Sequence, residues 1–96
     1  MKKTNFQHLG AAFDDFFQKK GFRKKMQELA IKEAWHEIVG PVFSKSTQNI
    51  YVNNSHIYIT ISSPAIRNEL ILNRNQIKKR INEKINAQVI THITIK

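Results

Sequence analysis

The residues of this chain best suited to chemistry are its cations. Lys19, Lys20, Arg23, Lys24 and Lys25 fall in one short stretch, and Arg67, Arg74 and Lys78 follow at offsets of seven and four residues, the spacing of one helical flank. Lys79, Arg80 and Lys84 carry the charge around the same segment, and Lys2 and Lys3 stand ahead of it all. Sixteen Lys and Arg face seven Asp and Glu over 96 residues, a formal net charge of +9. Cations repeated along one face suit a phosphate backbone, which asks for several positive groups in a row and little base reading. The competing reading is ordinary solvated lysine. At +9 with clustering, nucleic acid outweighs it. Tyr51 and Tyr58 add a second kind of contact, since aromatic rings on an open sheet face can stack on bases. Tyrosine is also common in strands and can simply cover a sheet edge.

Catalytic constellations are missing from the sequence. None of the four histidines, His8, His36, His56 and His92, pairs at the i,i+4 spacing of a helical metal site. His56 and His92 fall on expected strands that could bring them together, a pairing more often incidental than a ligand set. Asp14 and Asp15 are adjacent and diverge by roughly 100° on a helix, so they cannot share a metal. With no cysteine there is no disulfide, thiolate zinc site or cysteine nucleophile. No P-loop, G-x-G-x-x-G or G-x-S-x-G segment occurs, and three glycines leave little for a phosphate cradle. The expectation is a binding protein and not an enzyme, with no cofactor and no metal.

The elements that must position these residues are legible in the apolar spacing. Asn5–Lys19 reads as a helix through Phe6, Leu9, Phe13 and Phe16, with Asn5 as cap and Gly21 as stop. A second helix is predicted from Arg23 to Val39. It carries one apolar line through Phe22, Met26 and Leu29 and another through Ile31, Trp35 and Ile38, so it should meet two neighbours. Trp35 reads as a packing anchor. Gly40-Pro41 should end this helix. A hairpin follows: Gln48–Val52, a turn at Asn53-Asn54-Ser55, then His56–Ile61 with Ile57, Ile59 and Ile61 on one face and Tyr58 and Thr60 on the other. That alternation suits an antiparallel sheet covered on one side. Ser63-Pro64 starts a helix or helix pair carrying Ile66, Leu70, Ile77, Ile81 and Ile85 inward, with a break expected near Asn73-Arg74-Asn75. The last strand is predicted over Val89–Ile95, with Val89, Thr91, Ile93 and Ile95 on one side. The expected order is α-α-β-β-α-β in one α+β domain over residues 1–96, with helices on one face of a three-stranded sheet and a flexible basic arm at 1–4. No apolar run approaches the ~20 residues of a membrane helix and no apolar core follows the first lysines, so a cytoplasmic protein without membrane contact is expected.

Several segments, taken in order, resemble the bacterial DciA-like family. They are Ala34-Trp35 with Ile38-Val39-Gly40-Pro41; Thr47 before Ile50-Tyr51-Val52; Ile57-Tyr58-Ile59; Ser62-Ser63-Pro64-Ala65-Ile66-Arg67-Asn68-Glu69-Leu70; Ile81-Asn82; and Val89-Ile90 with Ile93. The resemblance implies a small domain similar to the K-homology fold. It also implies DNA binding and a role in loading or operating the replicative helicase. The chain has neither the cysteines of a zinc ribbon nor the G-x-x-G loop of K-homology domains. The resulting expectation is a nucleic-acid-binding accessory protein of replication, favouring DNA over RNA, with the replicative helicase as a partner. The alternatives are a protein adaptor acting through the aromatic first helix, and an RNA-binding module.

Overall fold

The structure, a computed structural model, describes residues 21–96; the basic arm expected at 1–4 and the helix expected over Asn5–Lys19 lie outside them. The described elements run α1 (Phe22–Lys45), β1 (Thr47–Asn53), β2 (His56–Ile61), α2 (Pro64–Leu72), α3 (Arg74–Ile85) and β3 (His92–Ile95). The expected α+β class holds for them, and the anticipated helix pair is α2 and α3.

The helical geometry of α1 breaks at Gly40, as expected, but a further helical segment follows directly. Gly40 leaves helical geometry at φ 86° and ψ 172°, a region open essentially to glycine alone, and the helix resumes from Pro41. Proline at a first helical position gives up no intrahelical hydrogen bond, so the pair kinks the rod instead of stopping it. His36 Nδ1 and Ser44 Oγ are hydrogen-bonded across the kink. The apolar line through Ile31 and Trp35 is the core face, with Ala34 buried beside them. The line through Met26 and Leu29 is not buried: these side chains are 49% and 48% exposed. Trp35, fully enclosed, donates its Nε1–H to Thr47 Oγ1 at 3.2 Å. Thr47 Oγ1 in turn donates to the Phe43 carbonyl at 3.1 Å. This chain of bonds ties the segment beyond the kink to the start of β1.

Strands β1 and β2 pair antiparallel, and Asn53 opposite His56 leaves a loop of Asn54-Ser55. Both loop residues have positive φ, 48° and 68°, which is what a type I′ hairpin turn requires. β3 lies beside β2 and parallel to it, so the sheet, in the order β1-β2-β3, is mixed and not antiparallel as expected. The reason is the connection: two helices carry the chain from the end of β2 back to its start, the long crossover a parallel pair needs. Ile57, Ile59 and Ile61 are buried on one face with Val52, Ile93 and Ile95, and α1, α2 and α3 supply Trp35, Leu70, Ile77 and Ile81 against them. The buried side chains of the described helices all pack on this face, leaving the other face uncovered among the described residues.

Local signals fix the helix pair. Ser63 Oγ accepts the Ile66 N–H at 3.4 Å, and Pro64 occupies the first helical position. Asn73 ends α2, its Nδ2 donating to the Glu69 carbonyl at 2.9 Å, and α3 begins at the next residue.

The last strand begins three residues later than the β-branched run suggests. Asn82 Oδ1 accepts the N–H groups of Val89 and Ile90 at 2.9 and 2.8 Å, and its Nδ2 donates to the Ile90 carbonyl at 2.9 Å. These backbone groups are thereby used up by a side chain instead of a neighbouring strand. Val89 and Ile90 are both buried and Thr91 is exposed, so the expected alternation survives only at Ile93 and Ile95. Asn82→Ala should strand the Ile90 amide and carbonyl and leave the Val89 N–H with only its bond to the Ala87 carbonyl. The expected cost is about 2–3 kcal/mol. Chemical denaturation reads the loss, and faster hydrogen exchange at Val89 and Ile90 locates it.

Candidate nucleic-acid interface

The open sheet face is built by the pairing register. Tyr51 opposes Tyr58 across β1 and β2, with ring centroids 5.7 Å apart. Two residues back along β2, the His56 ring stacks on Tyr58 at 4.1 Å and 5° between planes. His56 opposes His92 across β2 and β3, and those rings stack at 5.5 Å. Four rings therefore form an unbroken row across three strands. Tyr51 is 55% exposed, enough for its ring to accept a flat partner. Period-2 alternation explains the arrangement: the isoleucines between these residues face the core, so the rings must face outward.

A shallow hollow of about 290 Å³ lies at the Tyr51 end of the row, between Asn49, Tyr58, Thr60 and Lys96. At the other end a cleft of about 270 Å³ opens between β3 and the start of α3. Arg74, Asn75 and Lys78 line one side of it, and His56, Thr91, His92 and Thr94 the other. No Asp or Glu side chain among the described residues lines either depression. His56 Nε2 and Thr94 Oγ1 are hydrogen-bonded at 2.6 Å, and His92 Nδ1 and Thr91 Oγ1 at 3.0 Å. Lys78 Nζ donates to the Thr91 carbonyl at 3.3 Å, which holds its ammonium at the rim of the cleft. None of the three described helices has an acidic residue in its first turn. The start of α3 thus adds its partial positive charge to Arg74 instead of offsetting it.

The sequence-predicted cations that the structure describes fall in separate places. Arg74 and Lys78 share the cleft, as their i,i+4 spacing suggested. Lys79 lines a separate depression with Lys78, Asn82 and the residues after α3. Arg67 does not continue the flank, because the break at Asn73 changes the helical phase between α2 and α3. Arg67 Nη2 donates to the Ile61 carbonyl at 3.1 Å, and its Nε is buried without a hydrogen-bond partner. This arginine tethers α2 to the end of β2. Arg23, Lys24 and Lys25 are exposed on the first turn of α1, while Lys19 and Lys20 lie outside the described residues. Among the described residues the one ion pair is Lys84 with Glu37, at 2.7 Å, where α3 runs back along α1. From that point Lys24 lies about 20 Å along α1, and Arg74 about 15 Å the other way along α3, at 1.5 Å per residue. Two basic regions result, and only the second adjoins the rings. Sequence reasoning had not assigned His56, His92, Thr94 or Lys96 to the site. The imidazole pairing was legible only as a possibility until the parallel register of β3 was known.

No group of three or more His, Cys, Asp or Glu side chains gathers as a metal site among the described residues. No described helix is long and apolar enough to cross a membrane.

The family model of DciA, the Dna(CI) antecedent, matches residues 8–95. The chain belongs to the DciA family. A curated relative, a UPF0232 protein of Corynebacterium glutamicum (strain R), is 26% identical over 89 residues, covering 93% of this chain and 50% of the relative. The chain thus spans about half the length of that relative. No solved structure matches. Several residues that carry the DciA likeness have framework roles: Trp35 and Thr47 bridge α1 to β1, Gly40-Pro41 forms the kink, Ser63 caps α2, Arg67 secures β2, and Asn82 holds the approach to β3. Tyr51 and Tyr58, in the same family segments, face outward instead.

Proposed function

We propose that this DciA-family domain binds single-stranded nucleic acid, DNA in preference to RNA, and serves replicative helicase loading in the cytoplasm by binding and not by catalysis. The observation that carries this reading is the ring row with cations beside it: Lys96 lines the hollow shared by Tyr51 and Tyr58, and Arg74 and Lys78 line the cleft shared by His56 and His92. Stacking needs bases free of a duplex, and the flanking cations suit the phosphates between them. The α-β-β-α-α-β order, with a helix pair crossing between parallel strands, supports the K-homology likeness. The preference for DNA and the link to the helicase rest on the family.

Stacking is worth about 1–3 kcal/mol per base. Tyr51→Ala with Tyr58→Ala should therefore weaken binding of a single-stranded oligonucleotide by roughly tenfold to a hundredfold, with little change for duplex. Fluorescence anisotropy with single-stranded DNA, duplex DNA and RNA of one sequence checks this. Duplex binding as tight as single-strand binding, and equally indifferent to the tyrosines, refutes the single-strand reading.

A second reading, a protein adaptor, is favoured by exposed apolar side chains on another surface. Leu72 is 84% exposed and Val42 67%, each next in sequence to a residue of a groove lined by Ile38, Val39, Phe43, Leu70 and Ile77 together with Asn73, Gln76 and Arg80. Patches of this kind mark protein contacts. A titration against the replicative helicase separates the readings: Leu72→Asp should weaken helicase binding and leave oligonucleotide binding intact. The aromatic helix first expected to serve this role lies outside the described residues.

A further inference from the structure

The cleft between α3 and β3 holds two imidazoles among its cations, and neither the charge pattern nor the family likeness accounts for them. We propose that His56 and His92 are phosphate ligands in this cleft, so that nucleic-acid binding is coupled to proton uptake. The proposal rests on the nucleic-acid reading above and adds to it a site and a pH dependence.

The geometry supports it in three ways. First, the cleft is walled by positive or neutral groups from every element around it. Arg74 and Lys78 face it from α3, His92 and Thr94 from β3, and His56 from β2 with Tyr58 stacked behind; Tyr51 of β1 lies one ring further on. No Asp or Glu side chain among the described residues lines the cleft to draw the imidazoles into an internal ion pair. Second, each imidazole is already bonded to a hydroxyl, His56 to Thr94 and His92 to Thr91. A hydroxyl accepts as readily as it donates, so these bonds survive protonation of the ring. The other nitrogens, His56 Nδ1 and His92 Nε2, have no hydrogen-bond partner among the described residues. Third, the two rings stack at 5.5 Å. Two imidazolium rings this close repel each other, and an anion between them and the α3 cations relieves that repulsion. Histidine is the side chain whose ordinary titration falls near neutral pH, about 6.5.

Coupling is reciprocal: a bound phosphate favours the charged imidazoles, and charged imidazoles favour the phosphate. The direction follows. Binding strengthens as pH falls through the imidazole range and weakens as it rises. One unit charge about 4 Å from a phosphate in a water-like medium is worth roughly a fivefold change in affinity. Two imidazoles together should give about tenfold or more between about pH 8 and pH 5.5.

The test uses the full 96-residue chain and oligothymidylate, whose base does not titrate in this range. Affinity is measured across that pH interval at constant ionic strength for wild type, His56→Gln/His92→Gln and His36→Gln. The expected result is a clear pH slope in wild type and His36→Gln, lost in the double variant whatever its absolute affinity. Because His56 is partly buried, ring-proton NMR of the wild type gives a readout without mutation: the protonation midpoints of His56 and His92 should move up on adding oligonucleotide, and that of His36 should not. Tight binding without a pH slope, or a slope that persists in the double variant, overturns this proposal and leaves the nucleic-acid reading standing. Absence of binding at every pH in low salt overturns both.

Discussion

Reversing Arg74 and Lys78 together to Glu should lower affinity for a single-stranded oligonucleotide at least about a hundredfold near 0.1 M salt, with the fold intact. Both residues border the cleft at the His56–His92 end of the ring row, and neither is paired with a carboxylate among the described residues. Their reversal therefore breaks no internal ion pair. The one bond lost is that from Lys78 to the Thr91 carbonyl, worth about 1 kcal/mol. In the binding reaction two attractions become repulsions. The neutral variants Arg74→Gln and Lys78→Gln test the same point more gently. Each lost phosphate contact should flatten the dependence of log affinity on log salt by about 0.7, the single-strand coefficient. Reversal of Arg23, Lys24 and Lys25 serves as comparison. That cluster lies far from the rings, so its loss should cut general electrostatic attraction without removing the stacking contribution. Anisotropy titrations over a salt series measure all three. If the Arg74/Lys78 reversal binds like wild type, the cleft is not the contact surface.

What could be read beforehand divides along physical lines. The strand His56–Ile61 was plain, because one strictly alternating segment states both its conformation and its buried face. The hairpin turn and the Ser63-Pro64 start were equally local, each needing only the conformational preference of two or three residues. The misjudged features were those decided by distant partners. Val89 and Ile90 look like strand residues, and only the side chain of Asn82, seven and eight positions earlier, keeps them out of the ladder. Gly40-Pro41 breaks the helix as it reads, but the helical segment beyond it was not legible, because Trp35 and Thr47 hold that segment in place.

The same distinction governs the site. The i,i+4 relation of Arg74 and Lys78 is intrinsic to one helix and placed them together correctly. The offset from Arg67 to Arg74 assumed that the helix was unbroken, and the Asn73 break made it meaningless. The outward direction of Tyr51 and Tyr58 followed from alternation. The stacking of His56 on His92 required the parallel register, which depends on the α2–α3 crossover and on no local signal. The charge total predicted attraction to a polyanion but could not say which cations stand beside an aromatic surface.

The largest effect on stability should come from Trp35→Ala. Trp35 has no exposed surface and lies in the core formed by Ile31, Leu70, Ile81 and the sheet isoleucines. Emptying such a site costs about 3–5 kcal/mol. Small domains have roughly 5–15 kcal/mol in total, so much of the folded population should be lost near physiological temperature. Two gentler variants separate packing from hydrogen bonding. Trp35→Phe keeps most of the ring volume and gives up the Nε1–H bond to Thr47, and Thr47→Val gives up both that bond and the link to the Phe43 carbonyl. Each should cost about 1–2 kcal/mol. Because both act on one bonded chain, the double variant should cost less than their sum, a coupling that urea denaturation can measure. Trp35 packs against the sheet face opposite the rings, so Trp35→Phe should bind oligonucleotide with wild-type affinity wherever it is fully folded. A binding defect in folded Trp35→Phe would mean that the kink beyond Gly40, and not the open sheet face, shapes the nucleic-acid surface.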